Sequence, residues 1–128
     1  MNYCIRLNID HTTELIEMPE DHDYRWYAKQ IGCDWIEIVH PKYSKHPLIV
    51  DEEGRLKDNH INMIASGMYG TFEHGEPIVG TCLLVNEKWT DEGDDICGFD
   101  FVEANKIKAE IDNDVKGAFN RLLFKEIL

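Results

Sequence analysis

Apolar residues follow a period of two near the start of the chain and a helical period towards its end. In residues 2–9 the alternating apolar positions are Tyr3, Ile5, Leu7 and Ile9, with Cys4 on the other face. That period is typical of a half-buried strand, and a second short strand is predicted over residues 14–18, stopped by Pro19. The chain is therefore expected to open on two strands.

A helix is predicted after these strands. Its apolar positions, at helical spacing, are Tyr24, Tyr27, Ala28 and Ile31. Asp21 or Asp23 can cap its N-terminus, and Gly32 supplies a C-terminal stop. Strands over 35–39 and 48–50 should then flank a loop that two prolines hold. The turn after the second of these strands is expected to need Gly54 for a positive φ.

The second half of the chain contains the most apolar strand. Residues 59–68 predict a short helix, and residues 78–85 predict a strand that is buried on both faces and lies centrally. The acidic segment 87–98 favours a mobile, solvated loop. From Phe101 the period is helical, with a possible break near 112–114.

Together these elements predict the α+β class, with a mixed sheet of about five strands, helices mainly on one side and a C-terminal helical tail. The chain is expected to form a single domain over 1–128, with a core unit in 1–90 and the tail in 99–128. The late apolar residues of the tail are Phe119, Leu122, Leu123 and Ile127. They predict a homo-oligomer that assembles through the C-terminal helix, because a small sheet cannot easily cover them.

Three segments in the first 90 residues stand out, namely the strand 35–37, the turn 51–56 with Asn59, and the strand 78–80. They resemble a family of small domains of unknown function common in phages and conjugative elements. The resemblance implies a phage or mobile-element setting, where short proteins often counter host defences. It implies no catalytic residue, because the family has no established ones.

Composition and charge narrow the possible functions. With 43% apolar residues the chain can build one core, and its apolar runs are too short to cross a bilayer. We expect a cytoplasmic protein with no membrane contact and with reduced cysteines that have packing roles. The net charge of −12 disfavours sequence-specific nucleic-acid binding. A role in solubility is the simpler explanation of this charge, and mimicry of a nucleic-acid phosphate backbone is the more specific alternative.

The sequence offers little support for a catalytic site. Neither a dinucleotide fingerprint nor a P-loop is present, and the two serines, Ser44 and Ser66, lie outside a nucleophile elbow. Cys82 and His74 could form a nucleophile and base only if the cysteine were exposed. The six histidines lack the spacing of metal ligands. The chain is therefore predicted to have no catalytic residue, metal or cofactor, and not to be an enzyme.

The most distinctive polar residues are cations and aromatic rings that stand out from the acidic background. The candidate ligand-binding residues are Tyr43, Arg55, Lys57, Asn59, Tyr69 and Phe72. A guanidinium and an amide can hold phosphate and ribose while a ring stacks on a base. Ordinary loop residues are the simpler alternative.

Two functions of different classes follow. The first is a non-enzymatic anti-defence protein that sequesters a small nucleotide immune signal, of cyclic nucleotide or cyclic ADP-ribose type, at the residues named above. The alternative is an acidic inhibitor that docks on a host defence protein, such as a nuclease or restriction enzyme. It would use the carboxylates of residues 51–53 and 87–95.

Overall fold

The computed structural model describes residues 1–57, 60–70 and 76–127, with the backbone alone at Arg55, Asp94 and 118–127. Over these residues the elements run in the order β1 (Asn2–Leu7), β2 (Thr13–Met18), α1 (Tyr24–Ile31), β3 (Ile36–Val39), β4 (Leu48–Asp51), a 3₁₀ turn (Gly54–Leu56), α2 (Met63–Tyr69), β5 (Cys82–Leu84), β6 (Asn86–Thr90), β7 (Gly93–Cys97) and α3 (Phe101–Ile127).

The main sheet has five strands in the order β2-β1-β5-β4-β3. The α+β class and the five-stranded sheet are confirmed. All four strand pairs of this sheet are antiparallel. The expectation of a mixed sheet was therefore wrong. The most apolar strand does lie in the centre and is buried on both faces, although regular pairing is limited to Cys82–Leu84.

Alternation along the strands divides the core between the two faces of the sheet. On one face, Ile5, Leu7 and Leu84 pack with residues of α2 and with Ile107 of α3. On the other face, Leu83 packs with side chains of α1. Two of the three helices therefore cover one side, and α1 covers the opposite side. Both faces are buried because the central strands carry apolar residues at successive positions.

Helix α1 begins and ends where the capping residues predict. The Asp23 carboxylate accepts hydrogen bonds from the backbone N–H groups of Arg25 and Trp26. Gly32 adopts a left-handed conformation with φ 72° and closes the helix. These two residues satisfy backbone groups that a helix end leaves unpaired, which explains why the boundaries could be read from local sequence.

The glycine after β4 has a different role from the one expected. Gly54 begins the 3₁₀ turn and is not among the positive-φ residues of the described chain. A Cβ at this position would lie 3.0 Å from the carbonyl oxygen of Val79. The small residue is therefore required by a close approach between two segments distant in sequence, and the expectation of a positive φ was wrong.

Two expectations for the C-terminal third are also wrong. The acidic segment expected to be a loop forms the antiparallel hairpin β6–β7, with five residue pairs in register. Helix α3 runs through residues 112–114 without a break. There the Asp112 carboxylate accepts from Lys108 Nζ at 2.7 Å and from Thr13 of β2. The bond from Thr13 fastens α3 to the sheet at the position where a break had been expected, and the bond from Lys108 links two residues one turn apart within α3.

The apolar stripe of α3 is partly used inside the domain. Ile107, Ile111 and Val115 pack against the core beneath the sheet. The late residues from which self-association was predicted, Phe119, Leu122, Leu123 and Ile127, have side chains outside the described part of the structure. Assembly through the C-terminal helix thus stays a prediction.

His46 is expected to make stability depend on pH. Its ring packs edge-on against Phe99, with centroids 4.8 Å apart, and burial lowers its pKa. The unfolded chain, with a histidine pKa of about 6.5, then binds the proton more readily than the folded chain. The His46 contribution is therefore complete above about pH 6.5 and is lost as the pH falls towards the folded-state pKa.

The test compares melting temperatures at about pH 7.5 and about pH 5.5. The wild type should lose more thermal stability on acidification than His46→Gln, because glutamine does not titrate. His60→Gln, at an exposed position, should behave like the wild type. Equal losses in all three proteins would show that protonation of His46 does not contribute.

Candidate functional site

A cleft opens beside the outer strands of the sheet, on the side of α2. Its volume is about 90 Å³. The described residues that line it are Glu37, Val39, Val50, Asp51, Glu52, Gly54, Tyr69, Glu76, Pro77, Ile78 and Val79. Strands β3 and β4 provide one wall, the end of α2 provides Tyr69, and residues 76–79 provide the opposite wall. Of the six predicted ligand-binding residues, Tyr69 is among the described residues that line the cleft.

Alternation along β3 explains why both apolar and charged side chains line the cleft. Val39 packs against the core on the α2 side, whereas Ile36 packs on the α1 side. Glu37 shares the orientation of Val39, because successive strand residues point to opposite faces. It lies on an edge strand and is exposed. The carboxylate therefore stands on the same side as the cleft.

The most buried charge at the cleft belongs to Asp51, whose side chain is 6% exposed. Its Oδ2 accepts a hydrogen bond from Lys57 Nζ at 2.8 Å, and its Oδ1 accepts from the backbone N–H of Glu53 at 2.9 Å. The bond to Asp51 raises the pKa of Lys57. Lys57 is thus engaged by a neighbouring carboxylate, which reduces its availability to a ligand phosphate.

Two of the predicted aromatic residues come close together. The backbone N–H of Tyr43 donates to the carbonyl oxygen of Met68 at 2.9 Å, next to Tyr69. Lys42 Nζ lies 5.3 Å from the centroid of the Tyr43 ring, within the range of a cation–π contact. Tyr69 itself lines the cleft. The loop that two prolines hold therefore contacts the end of α2.

The six predicted ligand residues differ in their position relative to the cleft. Tyr69 lines the cleft, Tyr43 lies in the adjoining loop, and Lys57 contacts Asp51 at the cleft wall. Arg55 belongs to the 3₁₀ turn, and its side chain is not described. Asn59 and Phe72 lie outside the described residues. The nucleotide site that these residues would form stays a prediction.

Glu37 and Glu76 are the carboxylates of the cleft that sequence reasoning missed, whereas Asp51 and Glu52 belong to the segment 51–53 that it named for docking. Glu37 and Glu76 lie far apart along the chain, and only the folded structure brings them to one cleft. Period-two alternation of Glu37 with Ile36 and Ile38 could have placed this carboxylate on one sheet face. No comparable local pattern indicates which side Glu76 would face.

Charge and size limit what the cleft can bind. Among the described lining residues there are four carboxylates and no lysine or arginine. Their field opposes the approach of a phosphate group. The volume of about 90 Å³ is also small compared with the roughly 300–1,000 Å³ of typical pockets for organic ligands. A nucleotide would have to lie mainly outside the cleft or widen it.

The cysteines offer no activated nucleophile within the described chain. All four thiols are free, and burial raises the pKa of Cys82 and of Cys4 to about 12. A thiol with so high a pKa is almost wholly protonated near neutral pH, and the thiolate is the nucleophilic form. His74, the possible partner of Cys82, lies outside the described residues.

Among the described residues, no three His, Cys, Asp or Glu side chains converge in an arrangement that could hold a metal ion. Within the same part of the chain, no helix is long and apolar enough to span a membrane.

Comparison with known proteins identifies the family to which this acidic α+β domain belongs. A family model described as a domain of unknown function (DUF3846) matches residues 4–111. The chain therefore belongs to that family, and the resemblance seen in the sequence is confirmed to this extent. The match continues past the first 90 residues and includes the start of α3. No curated protein and no solved structure matches the chain.

Proposed function

We propose that this protein is a non-enzymatic acidic inhibitor that docks on a basic, nucleic-acid-binding surface of another protein. The observation that carries the proposal is the negative charge of the chain, which is −12 overall and includes Glu37, Asp51, Glu52 and Glu76 among the described residues that line the cleft. A partner that presents lysine and arginine side chains complements such a surface, whereas a phosphorylated ligand does not.

Ion pairs within the domain strengthen this argument. Arg6 pairs with Glu14 at 3.0 Å, and Lys108 pairs with Asp112 at 2.7 Å. Several of the 13 basic residues are thus neutralised locally, as Lys57 is, while the whole chain keeps a formal charge of −12. The remaining field is negative and can accelerate encounter with a basic partner at low ionic strength.

Sequestration of a small nucleotide is the second candidate. It is favoured by Tyr69 at the cleft and by the neighbouring Tyr43 with Lys42 over its ring. Such rings can stack on a base. We rank this function below docking because the phosphate would meet the exposed carboxylates of Glu37, Glu52 and Glu76 at the cleft, while Asp51 is buried and paired with Lys57.

The biological setting is part of the proposal. Membership of the family, together with the mobile-element context that the sequence resemblance implies, supports a protein that counters a host defence. The targets that fit an acidic docking protein best are nucleases and restriction enzymes, because their DNA-binding grooves are basic.

The proposal predicts inhibition of DNA cleavage that weakens with salt. Cleavage of unmodified plasmid DNA would be measured for a panel of restriction endonucleases with increasing amounts of the protein. At least one enzyme should be inhibited, and raising the salt from about 50 mM to about 200 mM should weaken inhibition at least tenfold, since exposed charge pairs are screened. Excess DNA should relieve the inhibition.

Thermal unfolding with cyclic nucleotides and cyclic ADP-ribose isomers separates the two candidate functions. A ligand that binds only the native state raises the melting temperature. We expect no shift with any of them. A clear shift without inhibition of any nuclease would replace the docking function by sequestration.

A further inference from the structure

The hairpin β6–β7 forms a small sheet of its own, separate from the main sheet. Its turn is held by side-chain bonds: Thr90 Oγ1 donates to the carbonyl oxygen of Gly93 at 2.8 Å and accepts from the backbone N–H of Glu92 at 3.3 Å. Gly93 has φ 110°, a conformation that side chains rarely tolerate. The described turn is therefore closed by hydrogen bonds between its own residues.

The base of the hairpin is anchored to the domain. Glu87 Oε2 lies 3.0 Å from His40 Nε2, at the end of β3. Ile96 packs against the core on the α1 side of the main sheet. Just beyond β7, Tyr3 and Phe99 exchange two backbone hydrogen bonds of 2.8 Å. These contacts fix the direction in which the hairpin leaves the domain.

Register places an exposed tryptophan further out on the anchored face. Glu87 pairs with Ile96, and Trp89 pairs with Asp94. Paired residues share a face, and so do residues two apart on one strand. Trp89 therefore continues the face that Ile96 packs against the core, but its side chain is 80% exposed. The face of the hairpin that is buried at its base is therefore exposed near the tip, where it carries Trp89.

Charge on the hairpin indicates what could cover this tryptophan. Residues 86–97 contain five carboxylates, Glu87, Asp91, Glu92, Asp94 and Asp95, against the single cation Lys88. A second copy of the hairpin, nucleic acid and an anionic membrane would each bring like charge to the surface, which costs energy at close range. A cationic protein surface is the complementary occupant.

We propose that the β6–β7 hairpin is the docking element, with Trp89 inserted into an apolar pocket within a basic groove of the partner protein and the tip carboxylates pairing with its cations. This inference rests on the proposed function and places the contact with the partner at the hairpin, whose Ile96 packs on the α1 side of the main sheet, and not at the cleft on the α2 side. Large aromatic side chains near the centre of an interface commonly dominate its binding energy, while surrounding charges set encounter rate and specificity.

The test uses the full chain and the restriction endonucleases that it inhibits. Trp89→Ala should raise the concentration needed for half-inhibition at least tenfold, because the aromatic anchor is lost. Trp35→Ala is the matched control, since this tryptophan is also exposed, at 58%, but lies before β3. It should change half-inhibition less than twofold. Circular dichroism would verify that both variants are folded.

A second variant tests the charges. Asp91→Asn combined with Glu92→Gln should weaken inhibition severalfold at low salt and make it less sensitive to ionic strength. If the wild type inhibits but Trp89→Ala matches it, or Trp35→Ala is the weaker inhibitor, the hairpin is not the docking element and the proposed function still stands. If the wild type inhibits no enzyme of the panel, the proposed function and this inference both fail.

Discussion

Replacing Asn62 by leucine should destabilise the protein by roughly 3–5 kcal/mol, a large part of the 5–15 kcal/mol that stabilises a typical domain. The Asn62 side chain is fully buried. Its Nδ2 donates to the carbonyl oxygens of Leu7 and Gly80, both at 2.9 Å, and its Oδ1 accepts from the N–H of Ala65 at 3.0 Å. One side chain thus joins β1, the segment before β5 and the first turn of α2.

Leucine has a similar size but can form none of these bonds. Two carbonyl groups and one N–H would be left in the interior without their present partner, at a cost of about 1–3 kcal/mol for each unsatisfied group. The N–H among these groups is that of Ala65, so its loss of a partner is also the loss of the N-terminal cap of α2, which is typically worth about 1 kcal/mol. Urea unfolding followed by circular dichroism would measure the change in the free energy of unfolding.

Asn105→Leu is the matched control. Asn105 also donates through Nδ2 to a backbone carbonyl, that of Phe101, but it is exposed on α3. Water can replace its hydrogen bond, so we expect a change within about 0.5 kcal/mol. Similar losses in the two variants would show that burial of Asn62 is not the source of its contribution.

Replacing Gly98 by alanine should cost about 1–3 kcal/mol, the range observed when an atom is forced into a packed core. A Cβ at Gly98 would lie 2.7 Å from Asn2 Cβ, 2.7 Å from Met18 Sδ and 3.0 Å from the backbone nitrogen of Tyr3. The Met18 side chain can move. The Tyr3 nitrogen is held by its bond to the Phe99 carbonyl oxygen, so the hairpin and β1 would have to separate.

The control is Gly67→Ala, which should have the opposite sign. Gly67 lies within α2, and a Cβ there meets no atom within 4 Å. Alanine is preferred over glycine in a helix by roughly 0.5–1 kcal/mol. Melting temperatures of the two variants would be compared with the wild type. A Gly98→Ala protein as stable as the wild type would mean that the approach of the hairpin to β1 is easily relaxed.

The candidate site shows where sequence reasoning succeeds and where it stops. Tyr43, Lys57 and Tyr69 were singled out because they interrupt an acidic background, and the structure places all three in or beside one cleft. The nature of the cleft was not predictable from this pattern. Asp51 engages Lys57, and Glu76 reaches the cleft from another part of the chain, so the local charge becomes negative.

The sequence by itself determined the features that depend on near neighbours. Period-two alternation marked β1, the β-rich run of residues 78–85 marked the central strand, and Asp23 with Gly32 marked the ends of α1. These signals are local because strand faces and helix caps are satisfied within a few residues. They were enough to predict an α+β domain with five strands in its sheet.

Tertiary structure decided the features that depend on distant contacts. The acidic segment 86–97 has the composition of a solvated loop, yet it forms a hairpin whose base is anchored by His40 and by Ile96 in the core. Gly54 is required by the approach of Val79, 25 residues later in the numbering. In both cases a deciding partner, His40 for the hairpin and Val79 for Gly54, lies far away along the chain, and neither composition nor periodicity carries information about that separation.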